Sequence, residues 1–278
     1  MKDVKLASFV IGKDQPLTVF SGPCVIESEE FALETAAALK EIFSHYPFQF
    51  VYKSSFDKAN RSSIDSFRGP GINLGLKILQ RVKTECAVPI MTDIHLPEEA
   101  APAACVADCI QIPAFLCRQT DLLVAAAKTP ATIIAKKGQF LSPWDMKNVI
   151  QKLEAAGKRE IILTDRGTCF GYHNLVSDMR AIPVMQSFGY PVCFDATHSV
   201  QLPGGLGHAT AGQKEFSSTL AKAAIAAGAN ALYIEAHPRP AQAKSDAATV
   251  MAFEDLHTLL AQIERLYEAV QCFSGSSL

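Results

Sequence analysis

Phe48-Gln-Phe-Val-Tyr-Lys-Ser-Ser-Phe-Asp-Lys-Ala-Asn-Arg-Ser-Ser63 carries two messages in sixteen residues. Residues 48–53 are a short apolar run bounded by polar residues, too continuous for a half-exposed strand and too short for a helix. That is the form of a strand buried on both faces. Residues 53–63 then supply three cations (Lys53, Lys58, Arg61), an amide (Asn60) and several hydroxyls, Ser62 among them, with no helical periodicity. Point charges suit phosphate, and short donors and acceptors suit the hydroxyls of a polyol. A solvated surface loop is the plainer reading, but the cluster begins where the strand ends, and α/β barrels place their chemistry there.

The same alternation continues along the chain. Apolar runs at 17–21, 88–92, 109–112, 132–136, 160–164, 191–195 and 231–235 join 48–53 as buried strands. Helical patterns lie between them. Ala32, Ala36, Leu39 and Phe43 share one face, and Leu74, Ile78 and Val82 another. Ser142-Pro-Trp-Asp145 is a helix start, followed by Met146, Val149, Ile150 and Leu153 and a stop at Gly157. Phe216, Leu220 and Ala224 predict one further helix, and Phe253, Leu256, Leu260 and Ile263 the last. Eight alternations predict an α/β fold, a (β/α)8 TIM barrel, spanning 1–278 as a single domain. An open doubly wound sheet is the alternative, but no Gly-x-Gly-x-x-Gly turn follows the first strand. The segment before residue 17 is left over and predicts a short N-terminal hairpin that closes the barrel bottom.

The 278 residues are 49% hydrophobic, enough for a large core. A formal charge of −2 gives no overall field for nucleic acid or an acidic membrane, so neither is expected as a partner. No run suits a signal peptide or a membrane span, and eight cysteines in so core-rich a chain point to a reducing cytoplasm, not to disulfides. Cys86, Cys105, Cys109 and Cys193 lie in or beside apolar segments and read as small buried hydrophobes.

In a barrel the strand ends converge. After the first strand come Ser21-Gly-Pro-Cys24, Val25, Ile26, Glu27 and Ser28. The later ends give Lys53, Lys58, Asn60 and Arg61; Asp93 and His95; Gln111 and Arg118; Lys136 and Lys137; Asp165 and Arg166; Asp195, Thr197 and His198; Glu235 and His237. Scattered surface charge would not choose the same end of every strand, so an enzyme is expected. Lys53, Lys58, Arg61, Arg118, Lys137 and Arg166 exceed what one phosphate needs and imply two anionic groups. Cys24, His198, Glu235 and Asp246 offer a thiolate, an imidazole and two carboxylates, a set suited to Zn²⁺, Fe²⁺ or Mn²⁺ better than to Mg²⁺ or Ca²⁺. A buried thiol, a capping histidine and an ordinary helix start would explain Cys24, His198 and Asp246 without a metal. Glycines in 199–207 fit either a mobile lid or a passive connector.

These residues closely resemble the 3-deoxy-D-manno-octulosonate 8-phosphate (KDO 8-phosphate) synthases over nearly the whole chain. The likeness is densest in 53–63 with Phe67-Arg-Gly-Pro-Gly71, in 111–121, in Lys136-Lys-Gly-Gln-Phe140, in 165–172, in Asp195-Ala-Thr-His-Ser-Val-Gln201 and in Ile234-Glu-Ala-His-Pro238. The resemblance implies a barrel, a homotetramer, and condensation of phosphoenolpyruvate with D-arabinose 5-phosphate on the route to the inner sugar of lipopolysaccharide. One branch of that family is metal-dependent and carries cysteine in the first-strand motif, where the other carries asparagine. Cys24 therefore implies a divalent metal ion held with His198, Glu235 and Asp246. It further implies Lys137 and Arg166 on the phosphoenolpyruvate phosphate, with Lys53, Lys58 and Gln111 lining that subsite. Asn60, Arg61 and Ser62 are expected on the pentose phosphate, Asp93 near its hydroxyls, and Arg118 reaching a neighbouring subunit's site. Lys137, His198, Asp246 and Asn60 are the residues expected closest to the reacting atoms. The related heptulosonate (DAHP) synthases, which use erythrose 4-phosphate, carry Lys-Pro-Arg-Thr-Ser where this chain has Lys58-Ala-Asn-Arg-Ser-Ser63. A non-catalytic sugar-phosphate sensor would show lost pocket residues, and none is missing.

Overall fold

Runs such as Thr132-Ile-Ile-Ala-Lys136 have no polar face to show water, so they are stable only when covered on both sides. The computed structural model, which describes residues 1–205 and 211–275, covers them by closing a parallel sheet on itself and ringing it with helices. The barrel strands are β1 (Thr18–Gly22), β2 (Gln49–Lys53), β3 (Ile90–Asp93), β4 (Cys109–Ile112), β5 (Thr132–Lys136), β6 (Ile161–Asp165), β7 (Val192–Asp195) and β8 (Ala231–His237). Each pairs in parallel with the next, and β8 pairs with both β7 and β1, which closes the ring. The helices are α1 (Glu29–Ser44), α2 (Ile72–Cys86), α3 (Ala100–Ala104), α4 (Thr120–Ala127), α5 (Met146–Ala155), α6 (Ala181–Gln186), α7 (Ser217–Ala226) and α8 (Phe253–Gly275). One helix follows each strand, which is the (β/α)8 barrel expected.

Local chemistry fixes the ends. Ser28 caps α1 by accepting the Phe31 N–H at 3.1 Å, and Ala32, Thr35, Ala36, Leu39 and Phe43 form its buried face. Before α5, the Ser142 N–H and O–H both donate to Asp145 Oδ2, at 3.1 and 2.7 Å, and Gly157 (φ 93°) ends the segment. The N-terminal hairpin pairs Val4–Leu6 with Phe9–Ile11 and sits against the strand starts: Thr132 Oγ1 donates to Lys5 O at 2.6 Å, and Asn230 Nδ2 to Gly12 O at 3.1 Å. Three sequence readings need correction. Leu74 is 51% exposed, because α2 turns Gly75, Ile78, Leu79, Val82 and Cys86 inward and Leu74 stands about 100° off that face. Phe216 precedes α7 in a short 3₁₀ turn and faces solvent. Cys105 follows α3 and is exposed, not a core residue.

Two glycines position the loop that began the reading. A Cβ on Gly22 would lie 2.1 Å from the Lys53 carbonyl oxygen, so only glycine lets β1 end beside β2. A Cβ on Gly75 would lie 2.3 Å from Phe56 Cβ. That close approach seats α2 on Phe56 and fixes where the Lys53–Ser63 loop leaves the barrel.

Candidate active site

The strand ends open into one cavity of about 610 Å³, whose walls include Lys53, Lys58, Asn60, Arg61, Ser62, Asp93, Gln111, Arg166, His198 and Asp246. Ten of the residues read from the sequence therefore meet in one place. Its size suits a small, highly polar ligand pair.

Two of these residues, His198 and Asp246, belong to a cluster of cation ligands. Cys24 Sγ, a Glu235 carboxylate oxygen and an Asp246 carboxylate oxygen all lie within 4.8 Å of one another. His198 Nε2 stands 3.8 Å from Glu235 Oε1 and 3.7 Å from Asp246 Oδ2, and its Nδ1 lies 2.8 Å from Asp195 Oδ2. A carboxylate behind a histidine in this way orients the opposite ring nitrogen toward the cluster. Burial, then Asp246 and Glu235, pushes the Cys24 thiol well above its ordinary range, and its proton is donated to Asp246 Oδ2 at 2.8 Å. Burial alone would raise Asp246, but His198, Lys58 and the Cys24 hydrogen bond hold it well below the carboxylate range. Glu235 Oε2 is buried without a hydrogen-bond partner. A thiol, an imidazole and two carboxylates, with one oxygen unsatisfied, fit a borderline divalent ion.

Above this cluster the cations gather. Lys53 Nζ is buried, donates to Ser55 Oγ at 2.9 Å and lies 3.7 Å from Glu235 and 3.8 Å from Asp93. Asp93 also accepts a short hydrogen bond from Ser55 Oγ. Burial would raise the Asp93 carboxyl, but Lys53, His95 and Lys58 hold it well below its usual value. Lys58 is disfavoured as a cation by burial, yet Cys24, Asp93, Glu235 and Asp246 raise it well above the ordinary amine value. Arg166 donates from Nη2 to Gln201 Oε1 at 2.7 Å, while its Nη1 is buried without a partner.

Two expected cations are placed elsewhere. Lys137 is fully buried outside the cavity. Its Nζ donates to Thr168 Oγ1 (3.0 Å) and to the carbonyls of Gly167 (3.1 Å), Leu141 (3.3 Å) and Gly138 (3.4 Å), and it lies 3.3 Å from Asp165 Oδ1. Lys136 lines the cavity instead, 2.6 Å from Asp195 Oδ2 and over the Tyr233 ring at 3.8 Å. Lys136 closes β5, and Lys137 turns into the loop beyond it, so one residue separates pocket from cage. Arg118 is exposed and outside the cavity wall, with its carbonyl accepting from Lys152 at 2.9 Å. The sequence reading also assigned no role to His95, Gln139, Gln201 and Tyr233, which line the cavity. His95 stood at a strand end as a visible signal, and Gln139 and Gln201 lay in segments of the resemblance without being given a role; Tyr233 carried no signal. Of the proposed lid, Pro203 and Gly204 line the cavity, whereas Leu206 and Gly207 lie outside the described residues.

A parallel barrel with clustered cations above a thiol–carboxylate floor defines a candidate enzyme of sugar-phosphate chemistry. The chain belongs to the DAHP synthetase I family, whose model matches residues 3–272. Its curated relatives include three proteins named 2-dehydro-3-deoxyphosphooctonate aldolase. That of Protochlamydia amoebophila is 59% identical over 271 residues, covering 98% of each chain. That of a Synechococcus strain is 55% identical over 269 residues, 97% of this chain and 95% of its own. That of Trichlorobacter lovleyi is 51% identical over 270 residues, 97% and 99%.

Proposed function

We propose that this single barrel domain is a 3-deoxy-8-phosphooctulonate synthase, joining phosphoenolpyruvate, D-arabinose 5-phosphate and water to give 3-deoxy-D-manno-octulosonate 8-phosphate and inorganic phosphate. The observation that carries it is the meeting of two separate arginines, Arg166 and Arg61, in one cavity with Asp246 of the Cys24–Glu235–Asp246 cluster. The unpartnered Nη1 of Arg166, with Lys136, Lys53, Lys58 and Gln111, receives phosphoenolpyruvate; their charge favours the phosphate as it leaves. Asn60, Arg61 and Ser62 receive the pentose phosphate, and Asp93 its hydroxyls. The phosphoenolpyruvate C3 carbon attacks the aldehyde carbon, whose oxygen takes up a proton; water adds at C2 and gives up a proton, and the C2 hemiketal phosphate then collapses to the ketone as inorganic phosphate leaves.

Cys24, His198, Glu235 and Asp246 would hold a divalent ion, which when bound supplies Lewis acidity toward an aldehyde or water. Asp195 keeps His198 aimed at that position: burial opposes its charge, but His198 and Lys136 hold its carboxyl far below the ordinary range. The enzyme acts in the cytoplasm as a homotetramer, with Arg118 serving a neighbouring subunit. Among the described residues no helix is long and apolar enough to cross a membrane.

The test is a phosphate-release assay with arabinose 5-phosphate and erythrose 4-phosphate in parallel. The five-carbon sugar should be preferred by orders of magnitude, because hydrogen-bonding sites reject analogues that leave their groups unpaired. Chelation should abolish turnover and a divalent metal restore it. Equal catalytic efficiencies for the two sugars would refute the substrate assignment, and full activity in protein free of metal by elemental analysis would refute the metal.

A further inference from the structure

Cys24, Glu235 and Asp246 stand on three separate segments: just past β1, on β8, and in the loop that follows β8. One carboxylate outside the cavity meets all three segments. Glu27 lies on the Cys24 segment, and its Oε1 accepts the Lys244 N–H at 3.0 Å, two residues before Asp246. The same oxygen lies 3.3 Å from Nε2 of His237, two residues after Glu235. Neither Glu27 nor His237 lines the cavity, so neither is placed to touch a substrate.

The His237 contact has one sense. The Arg239 N–H donates to His237 Nδ1 at 2.9 Å, so the lone pair sits on Nδ1 and the ring hydrogen on Nε2, toward Glu27. That nitrogen is buried and makes no hydrogen bond, which leaves the nearby carboxylate to offset its burial. The ring packs on Phe31 of α1, with centroids 4.9 Å apart.

The two sides that Glu27 joins differ in firmness. Residues 24–26 are laced to the segment after β2, since the Ser55 N–H donates to Cys24 O at 3.3 Å and the Ile26 N–H to Ser55 O at 3.0 Å. The loop after β8 exposes Arg239, Ala241, Gln242, Lys244 and Ala247. Within it Asp246 has φ 52°, a left-handed conformation that a residue with a Cβ keeps only where its surroundings impose it. Gln201 and Cys24 bond the Asp246 carboxylate, and Thr249 and Val250 bond its carbonyl from within the same loop. Arg61 holds the chain itself on the cavity side, donating to Lys244 O at 3.3 Å and to Ser245 Oγ at 2.6 Å. Glu27 supplies the hold on the other side, where no substrate reaches.

We propose that Glu27 is a positioning residue for the cation site, tying the Asp246 loop to the Cys24 segment through the Lys244 N–H while His237 sets both against the end of β8. The inference rests on the divalent-ion reading above and adds to it a residue that touches neither ion nor substrate. Without this acceptor the loop is held from the cavity side alone. Asp246 then relaxes from its strained conformation, and its carboxylate drifts from Cys24 and Glu235.

The experiment uses full-length protein stripped of metal, titrated with Zn²⁺ in competition with a chromophoric chelator. Glu27→Ala should weaken Zn²⁺ binding about tenfold, the lower end of what loss of a group supporting metal ligands costs. Glu27→Leu, which fills the space without an acceptor, should do the same and guards against an alanine variant that folds poorly. Glu27→Gln keeps an oxygen for the Lys244 N–H and should bind Zn²⁺ nearly as the wild type does. Visible spectra of the Co²⁺-loaded proteins should report altered ligand geometry in the alanine and leucine variants only. Melts of the metal-free forms are the control, because a role in stability alone would lower Tm and leave the Zn²⁺ affinity unmoved. Alanine and leucine variants that bind Zn²⁺ like the wild type, or a glutamine variant as weak as alanine, overturn the inference and leave the divalent-ion reading standing. A wild type that binds neither Zn²⁺ nor Co²⁺ overturns that reading, and this inference with it.

Discussion

Replacing Lys137 by methionine nearly conserves volume and removes an ammonium that the fold has enclosed completely. Three carbonyls, the Thr168 hydroxyl and Asp165 lose their shared partner together. Asp165 is itself buried, and burial already raises its carboxyl against the pull of Lys137. Breaking a buried pair from one side costs about 3–5 kcal/mol. The carboxyl has an escape, since it can take up a proton and still accept the Gly167 N–H at 3.2 Å, so the lower end, about 3 kcal/mol, is expected. For a chain of this size that lowers Tm by roughly 6–12 °C. Lys136→Met provides the contrast. It strips Asp195 of one cation but leaves His198 Nδ1 at 2.8 Å and the N–H groups of Thr197 (3.1 Å) and His198 (2.8 Å). The stability loss there is expected at about 1–3 kcal/mol, with phosphoenolpyruvate affinity falling sharply. Scanning calorimetry of both variants, with substrate titrations, decides the matter. A Lys137→Met protein that melts like the wild type yet loses phosphoenolpyruvate binding would refute the cage and return Lys137 to the pocket.

Two further outcomes follow, one from the role proposed for Arg118 and one from the geometry around His95. Arg118→Ala should weaken arabinose 5-phosphate binding by about 1.5–3 kcal/mol. Hybrids of inactive Arg118→Ala and Arg166→Ala subunits should recover activity through sites with both wild-type residues; no recovery in verified hybrids would mean that Arg118 serves its own chain. His95 is raised from the ordinary imidazole value near 6.5: burial opposes its charge, but Asp93, 3.2 Å away, and then Glu99 outweigh it. A raised folded pKa contributes stability that is full below the unfolded value and is lost as pH rises through the folded one. The stability gap between wild type and His95→Gln should therefore be full below the ordinary imidazole value and narrow as pH rises above it, and a gap that widens would contradict this reading.

The barrel was legible because doubly covered strands leave a continuous apolar trace, and every one of the eight runs became a strand with ends shifted by at most two residues. The floor of the site was legible too, since a cysteine beside Gly22 and a histidine and carboxylates at later strand ends are conspicuous as residue types. What the chain could not declare was direction. Lys136 and Lys137 are chemically identical neighbours, but the strand ends at Lys136 and Lys137 already belongs to the loop. A one-residue difference thus sends one ammonium into the cavity and the other into a ring of carbonyls. Leu74 was misplaced by the same kind of one-step offset on a helix. Gln201 was hidden for another reason. It closes the Asp195–Gln201 segment of the resemblance, but a glutamine has no charge or periodicity to give it a role, and its contacts become visible only because Arg166 and Asp246 lie on either side of it, 35 and 45 residues away in sequence. Charged residues announce a site, but the neutral ones that link them can be found only once the strands have brought them together.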